Sequence, residues 1–206
     1  MPHYNFIEIG TSNFGTLIEK ASDDTVGLSV EPITPYLDQL PNKKNVKKIN
    51  VAVSYDNIDS EVDIYFIPES VIKENNLKRD LVGCNSINDY HPAHLQYKNL
   101  VETKKIRQIP IGLLFNNNDV KSVDLLKIDT EGGDSKILTH LFYFLKDKSE
   151  SFWPKTITFE SNKLTPKKDV DDVIELYESQ GYTLIRRNKF NTTLKRWFQK
   201  RSTKYG

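Results

Sequence analysis

The sequence contains a single cysteine, Cys84, so it can form neither an internal disulfide bond nor a zinc site with several cysteine ligands. No apolar stretch approaches the roughly 20 residues that a membrane-spanning helix needs, and the first residues lack the basic and apolar segments of a secretory signal. With 29 Lys and Arg residues against 28 Asp and Glu residues, no net charge directs the chain to nucleic acid or membranes. These absences predict a cytoplasmic protein in a reducing environment.

The sequence also lacks internal repeats and linkers rich in proline, glycine or serine. Its 206 residues and 37% apolar content therefore predict one globular domain spanning 1–206. Short apolar runs alternate with segments whose apolar residues recur at helical spacing, which is typical of an α/β fold with a mostly parallel sheet. A long polar segment at about 68–100 interrupts this pattern as an insertion. The first strand starts almost at Met1, as it would in a piece of a larger multidomain chain.

The pattern predicts the order of the elements. Strands are expected at 5–9, 26–30, 46–54, 62–67, 123–128 and 156–159, and short helices at 14–21 and 35–40. Two longer helices are indicated by apolar stripes, namely Ile137, Leu138, Leu141, Phe142 and Leu145, and Val170, Val173, Ile174 and Tyr177. Segments 182–186 and 192–197 predict a terminal antiparallel hairpin. The basic tail at 186–206 is expected to be solvated, with contact to an acidic glycan, a lipid surface or RNA as alternatives.

The first notable loop, residues 8–15, follows a strand and opens a helix, which is where ligands bind in open α/β sheets. Gly10 and Gly15 would allow the backbone to approach a ligand closely. Ser12 stands where a dinucleotide-binding fingerprint requires a second glycine, and Glu8 would repel a diphosphate but attract a cation or an ammonium group. The loop therefore favours a ligand with an amino acid end, although an ordinary strand–helix turn would also fit.

Glu31 closes the second predicted strand. A carboxylate at this position can accept two hydrogen bonds from a ribose diol. Taken alone, Glu31 also fits an exposed charge at the end of a strand. Its spacing from the first loop favours a nucleoside site formed by the two together.

A second loop lies within 124–134, where a buried apolar strand ends in Asp129 and Glu131 and is followed by two glycines and a helix. Placed beside the first strand, it would bring both carboxylates to the same crevice, where one could orient a substrate and the other act as a base. Both would stabilise a nearby positive charge. Asp134 is expected to be a favourable charge at a helix N-terminus, and Lys127 to extend its ammonium group towards the strand end.

Together these segments resemble the FkbM-type family of class I S-adenosylmethionine-dependent methyltransferases. The matching segments occur in the same order as in the family and span nearly the whole chain. The resemblance rests on residues 6–10 with Gly15, and on 30–32, 50–54, 126–132, 158–161 and 181–182. The most specific stretch is Lys-Ile-Asp-Thr-Glu-Gly at 127–132, whereas the glycine loop alone would be weak support for the resemblance.

The resemblance implies a Rossmann-like methyltransferase fold with a seven-stranded sheet, and O-methylation of a sugar or another small hydroxylated compound. S-adenosylmethionine would be the methyl donor and S-adenosylhomocysteine the product. By position, the methionine end would be held by Glu8, Gly10, Thr11, Ser12, Asn13, Phe14 and Gly15. Glu31 and Pro32 would lie at the ribose, Ala52 beside the adenine and Asp129 near the transferred methyl group.

An alcohol acceptor must lose a proton, so a general base is expected. The candidates are Asp129, Glu131, His91 and His94, and Asp129 has the strongest support from its motif. Tyr90, His91, His94 and Glu160 are expected to form the wall of the acceptor site. His91 and His94 could suggest a metal, but they lack an obvious third ligand, so no metal is expected.

Two other functions remain open at this point. One is a methyltransferase that acts on RNA or on another small molecule, although the sequence carries no strong nucleic-acid signal. The other is a methyltransferase-like binding module without turnover. The presence of Glu8, Gly10, Glu31 and Asp129 disfavours the second.

Overall fold

A computed structural model describes residues 3–56, 58–87 and 91–197. Its strands are β1 His3–Ile9, β2 Gly27–Val30, β3 Val46–Ile49, β4 Ala52–Ser54, β5 Ser60–Phe66, β6 Glu102–Pro110, β7 Ser122–Ile128, β8 Thr156–Glu160, β9 Tyr182–Arg187 and β10 Asn191–Arg196. Its α-helices are α1 Leu17–Lys20, α2 Thr34–Gln39, α3 Glu69–Glu74, α4 Pro92–Gln96, α5 Ile111–Asn117, α6 Asp134–Leu145 and α7 Lys167–Glu178. Short 3-10 helices lie at Arg79–Gly83, Lys98–Leu100 and Glu150–Phe152.

Seven of the strands form one sheet in the order β3-β2-β1-β7-β8-β10-β9. The five strands from β3 to β8 in this order are parallel, whereas β10 is antiparallel to both β8 and β9. The mostly parallel sheet with a C-terminal hairpin is thus confirmed. The chain continues from β1 to β2 on one side and from β7 to β8 on the other, so a crevice opens where β1 and β7 end.

Two apolar helix faces cover the sheet, as the sequence predicts. The buried positions of α6 include all five predicted apolar residues, and those of α7 include all four. The two helices meet where the Tyr177 hydroxyl donates a hydrogen bond to the Leu138 carbonyl at 3.0 Å. At the centre, Leu126 and Ile128 of β7 are almost completely buried in the same core cluster. This packing fixes the position of β7, whose end carries Asp129.

The prediction of one strand over 46–54 is wrong. Residues Val46–Ile49 belong to the large sheet, but Ala52–Ser54 pair with β6 in a separate three-stranded sheet of order β4-β6-β5. Asn50 lies at the break, where its side-chain amide donates hydrogen bonds to the carbonyls of Glu31 and Pro32 at 2.8 and 2.9 Å. These bonds replace the strand ladder at this point, so the chain leaves the large sheet.

The segment 68–100 contains α3, α4 and two of the 3-10 helices rather than an extended loop. Its apolar side chains share a second core with the small sheet, including Ile64, Ile72, Val82 and Ile106. Strand β6 was not predicted from the sequence, because its first residues are exposed and mostly charged. This second core places the segment beside the ends of β1 and β7.

The first predicted helix, at 14–21, is shorter than expected because α1 starts only at Leu17. Gly15 has a positive φ of 68°, and Thr16 is extended, so neither residue can belong to the helix. Of the basic tail, residues 198–206 lie outside the described residues, and Arg187 forms an ion pair with Asp171. Within the described ranges, no helix is long and apolar enough to cross a membrane.

Replacing Gly10 with alanine is expected to destabilise the fold by about 3 kcal/mol or more. A Cβ atom at Gly10 would lie 1.8 Å from the Asp129 carbonyl oxygen, and the backbone has a φ of 77°. Gly15→Ala is the matched control, because its φ is also positive but its Cβ would have no atom within 4 Å. We expect it to cost about 1 kcal/mol. Urea denaturation measures both, and equal losses would contradict a steric role for Gly10.

Candidate active site

A cleft with a volume of about 280 Å³ opens at the carboxyl ends of β1, β2, β4, β7 and β8. Many of the residues predicted from the sequence line it, namely Gly10, Thr11, Ser12, Phe14, Glu31, Pro32, Ala52, Asp129, Glu131 and Glu160. Other predicted residues are not among its lining residues, namely Glu8, Asn13, Gly15, His91 and His94. Tyr90 lies outside the described residues. The structure therefore brings the two predicted loops to one cavity.

Backbone hydrogen bonds bring the ends of the central strands together. The Gly10 amide donates to the Val30 carbonyl at 2.9 Å, and the Asp129 amide donates to the Ile9 carbonyl at 2.9 Å. The chain can turn directly after Ile9 because Gly10 has no side chain. As a result, the first loop and the second loop begin side by side at the edge of the cleft.

Glu31 is almost completely buried at the end of β2 and holds the first loop in place. One carboxylate oxygen accepts a hydrogen bond from the Ser12 amide at 2.7 Å, and the other accepts one from the Ile33 amide at 2.9 Å. Burial raises the pKa of Glu31 to about 7, although both amides oppose this shift. Each carboxylate oxygen can still accept a further hydrogen bond from a ligand in the cleft.

Glu8 is fully buried and is not among the residues that line the cleft. Its carboxylate accepts a hydrogen bond from the Leu17 amide at 2.7 Å and forms an ion pair with Lys127 at 2.8 Å. The cation that the sequence analysis expected beside Glu8 is therefore supplied by the chain itself. Glu8 would influence a ligand only through Lys127 and α1.

Lys127 lines the cleft but was not predicted as a site residue from the sequence. The signal lay in the strand register, because Glu8 of β1 is directly opposite Lys127 of β7. Strand pairing could not be assigned from the sequence alone. Tyr55, Asp80 and Asn85 also line the cleft and were missed, since they lie in segments with no recognisable pattern.

Three carboxylates meet on one side of the cleft: Asp129, Glu131 and Glu160, which we call the acidic trio. One oxygen atom of each lies within 4.8 Å of those of the other two. Burial, and then repulsion from Asp134 and Glu131, raise the pKa of Asp129 to about 7. Burial and the neighbouring carboxylates of Glu131 and Asp129 likewise raise the pKa of Glu160. The trio therefore favours a positively charged or hydrogen-bond-donating ligand.

Asp134 lies behind the trio, with no exposed surface, at the start of α6. One of its oxygens accepts hydrogen bonds from the Thr130 amide and hydroxyl at 3.2 and 2.9 Å. The other accepts one from the Glu160 amide at 3.2 Å. Asp134 lies at the start of α6, as the sequence predicts, and its hydrogen bonds tie the second loop to β8.

His91 reaches the cleft through Glu131. Its Nδ1 accepts a hydrogen bond from the Ala93 amide at 3.1 Å, where it caps the start of α4. A neutral ring with this bond carries its proton on Nε2, which lies 3.2 Å from a Glu131 carboxylate oxygen and can donate to it. His91 is therefore better placed to orient the Glu131 carboxylate than to contact a substrate directly.

His94 is also buried, and its Nε2 lies 2.8 Å from the Cys84 carbonyl, to which it can donate. Its ring is 5.1 Å from that of His91. The predicted pair of histidines is thus packed together behind the cleft. Cys84 itself is partly buried, and burial together with nearby carboxylates raises the pKa of its thiol to about 12, which agrees with a passive residue.

The remaining side of the cleft is apolar. It is lined by Val51, Ala52, Val53, Ile64 and Ile137. Phe14 also lines the cleft, with Arg79 above its ring. A ligand in this cleft would therefore meet both apolar surface and carboxylates.

Residues 9–184 match the family model described as the methyltransferase FkbM domain. The matched segment includes residues 9–15 of the first loop, the second loop, Glu31 and the acidic trio, and it covers most of the chain. Neither the comparison with curated proteins nor the comparison with solved structures gave a match. The resemblance inferred from the motifs is confirmed by this match.

Lys127→Met is expected to destabilise the protein by about 3 to 5 kcal/mol, because it leaves the buried Glu8 carboxylate without its partner charge. The double variant Lys127→Met/Glu8→Gln should recover much of this loss, since no isolated charge then remains. Denaturant titration of the parent protein, the two single variants and the double variant gives the coupling energy between the two residues. If Lys127→Met lowers the free energy of unfolding by less than about 1 kcal/mol, the ion pair of Glu8 with Lys127 contributes no more than a solvent-exposed ion pair does.

Proposed function

The chain belongs to the FkbM methyltransferase family, and from this premise we propose that it is an S-adenosylmethionine-dependent O-methyltransferase. We propose that its acceptor is a hydroxyl group of a sugar or a glycan. The observation that carries this proposal is the buried Glu31 carboxylate, which lines the cleft at the end of β2 beside the first loop. A ribose diol bound there would donate to a carboxylate that already accepts two backbone amides.

Two further parts of the cleft lining support the same ligand. The apolar surface around Ala52 suits a planar adenine ring, and the loop at Gly10–Phe14 suits the methionine end. Among the described lining residues, Lys127 is the one with a cationic side chain, so it is placed to contact a ligand carboxylate. The acidic trio would stabilise a sulfonium and an ammonium group.

When bound, S-adenosylmethionine supplies an activated methyl group with a neutral thioether as its leaving group. The protein then has to position the acceptor oxygen in line and remove its proton. Asp129 and Glu131 are the groups that can do this from the cleft. Asp129 has a pKa near 7, which suits a base at neutral pH, and His91 holds the Glu131 carboxylate.

The charge of the cleft also bears on the acceptor. Its described lining contains five carboxylates, those of Glu31, Asp80, Asp129, Glu131 and Glu160. Such a surface repels phosphate groups, so a neutral hydroxyl acceptor fits better than RNA. We place the reaction in the cytoplasm, in line with the single cysteine.

Calorimetry with S-adenosylmethionine and its product, followed by mass spectrometry of a panel of sugars incubated with enzyme and cofactor, tests this proposal. We expect binding of both cofactor forms and a mass gain of one methyl group on a neutral sugar. Absence of binding at millimolar cofactor would indicate a binding module without turnover. Methylation of RNA that weakens steeply with salt would indicate the RNA alternative.

Glu31→Gln should weaken cofactor binding by about 10- to 100-fold, because hydrogen bonds to a charged acceptor are lost. The pKa near 7 adds a pH dependence. The ribose hydroxyls donate to the ionised carboxylate, so affinity should be retained above about pH 7 and fall as the pH drops below it. Calorimetry one pH unit above and below this value measures the effect, and a slope that is unchanged in Glu31→Gln would contradict it.

His91→Asn is expected to lower kcat by about 10- to 100-fold with little change in cofactor affinity. Asparagine keeps a capping acceptor for the Ala93 amide but loses the contact with Glu131. Combining it with Glu131→Gln should give no further loss, because His91 then has no carboxylate to orient. Steady-state kinetics over a pH series measures this, and additive losses would indicate that His91 acts independently of Glu131.

A further inference from the structure

We propose that the acidic trio binds one divalent cation of the Mg²⁺ or Mn²⁺ type beside the site of methyl transfer. Asp129 and Glu131 follow β7, and Glu160 is the last residue of neighbouring β8. One oxygen of each lies within 4.8 Å of the others. Oxygens bound to one Mg²⁺ ion at its usual distance lie about 3 to 4 Å apart, so small side-chain rotations bring the three to a common ion.

A second observation concerns Glu160 separately from this spacing. Its Oε2 atom is buried and accepts no hydrogen bond from the described residues, whereas its Oε1 accepts one from the Asn162 amide at 2.5 Å. A buried polar oxygen without a partner is costly unless a hydrogen-bond partner or a cation approaches it. Because the Oε1 atom of Glu160 already accepts a hydrogen bond, the Oε2 atom is the oxygen of Glu160 that is available to a cation.

The chain itself offers little positive charge to the trio. The ammonium group of Lys127 lies 2.8 Å from Glu8, which is fully buried and depends on it. Of the trio, His91 contacts Glu131, and its other ring nitrogen accepts the Ala93 amide. By contrast, the other buried carboxylates described above have a partner on both oxygens: Glu8 has Lys127 and the Leu17 amide, Glu31 has two amides, and Asp134 has Thr130 and the Glu160 amide.

The donor atoms select the type of ion. Three carboxylates suit hard cations such as Mg²⁺ and Mn²⁺, which take oxygen ligands and keep several waters. Cys84, His91 and Glu131 form a second group of potential ligands. That group fits a metal less well, because the Nδ1 atom of His91 already accepts the Ala93 amide and its Nε2 faces Glu131.

Binding of the ion does not depend on the proposed function, but its catalytic role does. An ion at the trio polarises the acceptor hydroxyl, which lowers the pKa of the alcohol. The proton passes to a carboxylate of the trio or to water, the oxygen forms the new O–CH₃ bond, and the S–CH₃ bond breaks with its electron pair left on sulfur. A sugar with two adjacent hydroxyls offers two oxygens to such an ion, so diols are the preferred acceptors.

The binding test uses the full chain after treatment with a chelator. Mn²⁺ is titrated while electron paramagnetic resonance measures the free ion. We expect one Mn²⁺ per chain, displaced by Mg²⁺, and at least tenfold weaker binding in Glu160→Gln. Asp80→Asn is the matched control, because it removes a carboxylate from the same cleft but outside the trio, and it should bind Mn²⁺ within about twofold of the parent chain. Circular dichroism and urea denaturation verify that Glu160→Gln is folded.

Absence of stoichiometric Mn²⁺ binding would overturn the proposal, as would equal losses in Glu160→Gln and Asp80→Asn, which indicate diffuse attraction to the cleft. Methyl transfer that persists at the full rate in excess chelator would overturn the catalytic role. These results differ from a failure of the proposed function, which would appear as absence of cofactor binding in the calorimetry. Glu160-dependent binding of an amino sugar without any Mn²⁺ binding would assign the trio to an ammonium group instead.

Discussion

The approach of Gly10 to the backbone of Asp129 is the constraint on which the rest of the site depends. At this point two central strands end side by side, and the chain leaves them in opposite directions. Any side chain at Gly10 would occupy the space of the Asp129 carbonyl. Because the strands can end so close together, the first loop, Glu31 and the acidic trio line a single cleft.

The distribution of partners among the buried carboxylates separates structure from function. Glu8, Glu31 and Asp134 are each held by an ion pair or by backbone and hydroxyl donors, so their burial contributes to the position of a loop or a helix. In the acidic trio, His91 contacts Glu131 and Asn162 contacts Glu160, but the described residues leave the buried Glu160 Oε2 atom without a partner. Carboxylates buried close together repel one another and lower the stability of the fold. Such clusters are found mainly at functional sites, where a ligand supplies the missing interaction.

The sequence was informative where the pattern is local. The apolar stripes of α6 and α7, the hairpin and the two loops followed from spacing and turn residues, and the family was identified from the stretch around Asp129. Long-range pairing was not accessible in this way. The contact of Glu8 with Lys127 depends on strand register, the break at Asn50 on side-chain hydrogen bonds, and the charged strand β6 on pairing within a second sheet.

The pairing of Glu8 with Lys127 across two neighbouring strands has an evolutionary consequence. A lineage that loses either residue first must pass through a protein with an isolated buried charge, and such an intermediate is selected against. The two positions are therefore expected to co-vary among related sequences, either as an acid with a base or as two uncharged residues. Because Lys127 also borders the cleft, this linkage would restrict how freely the ligand end of the site can diversify.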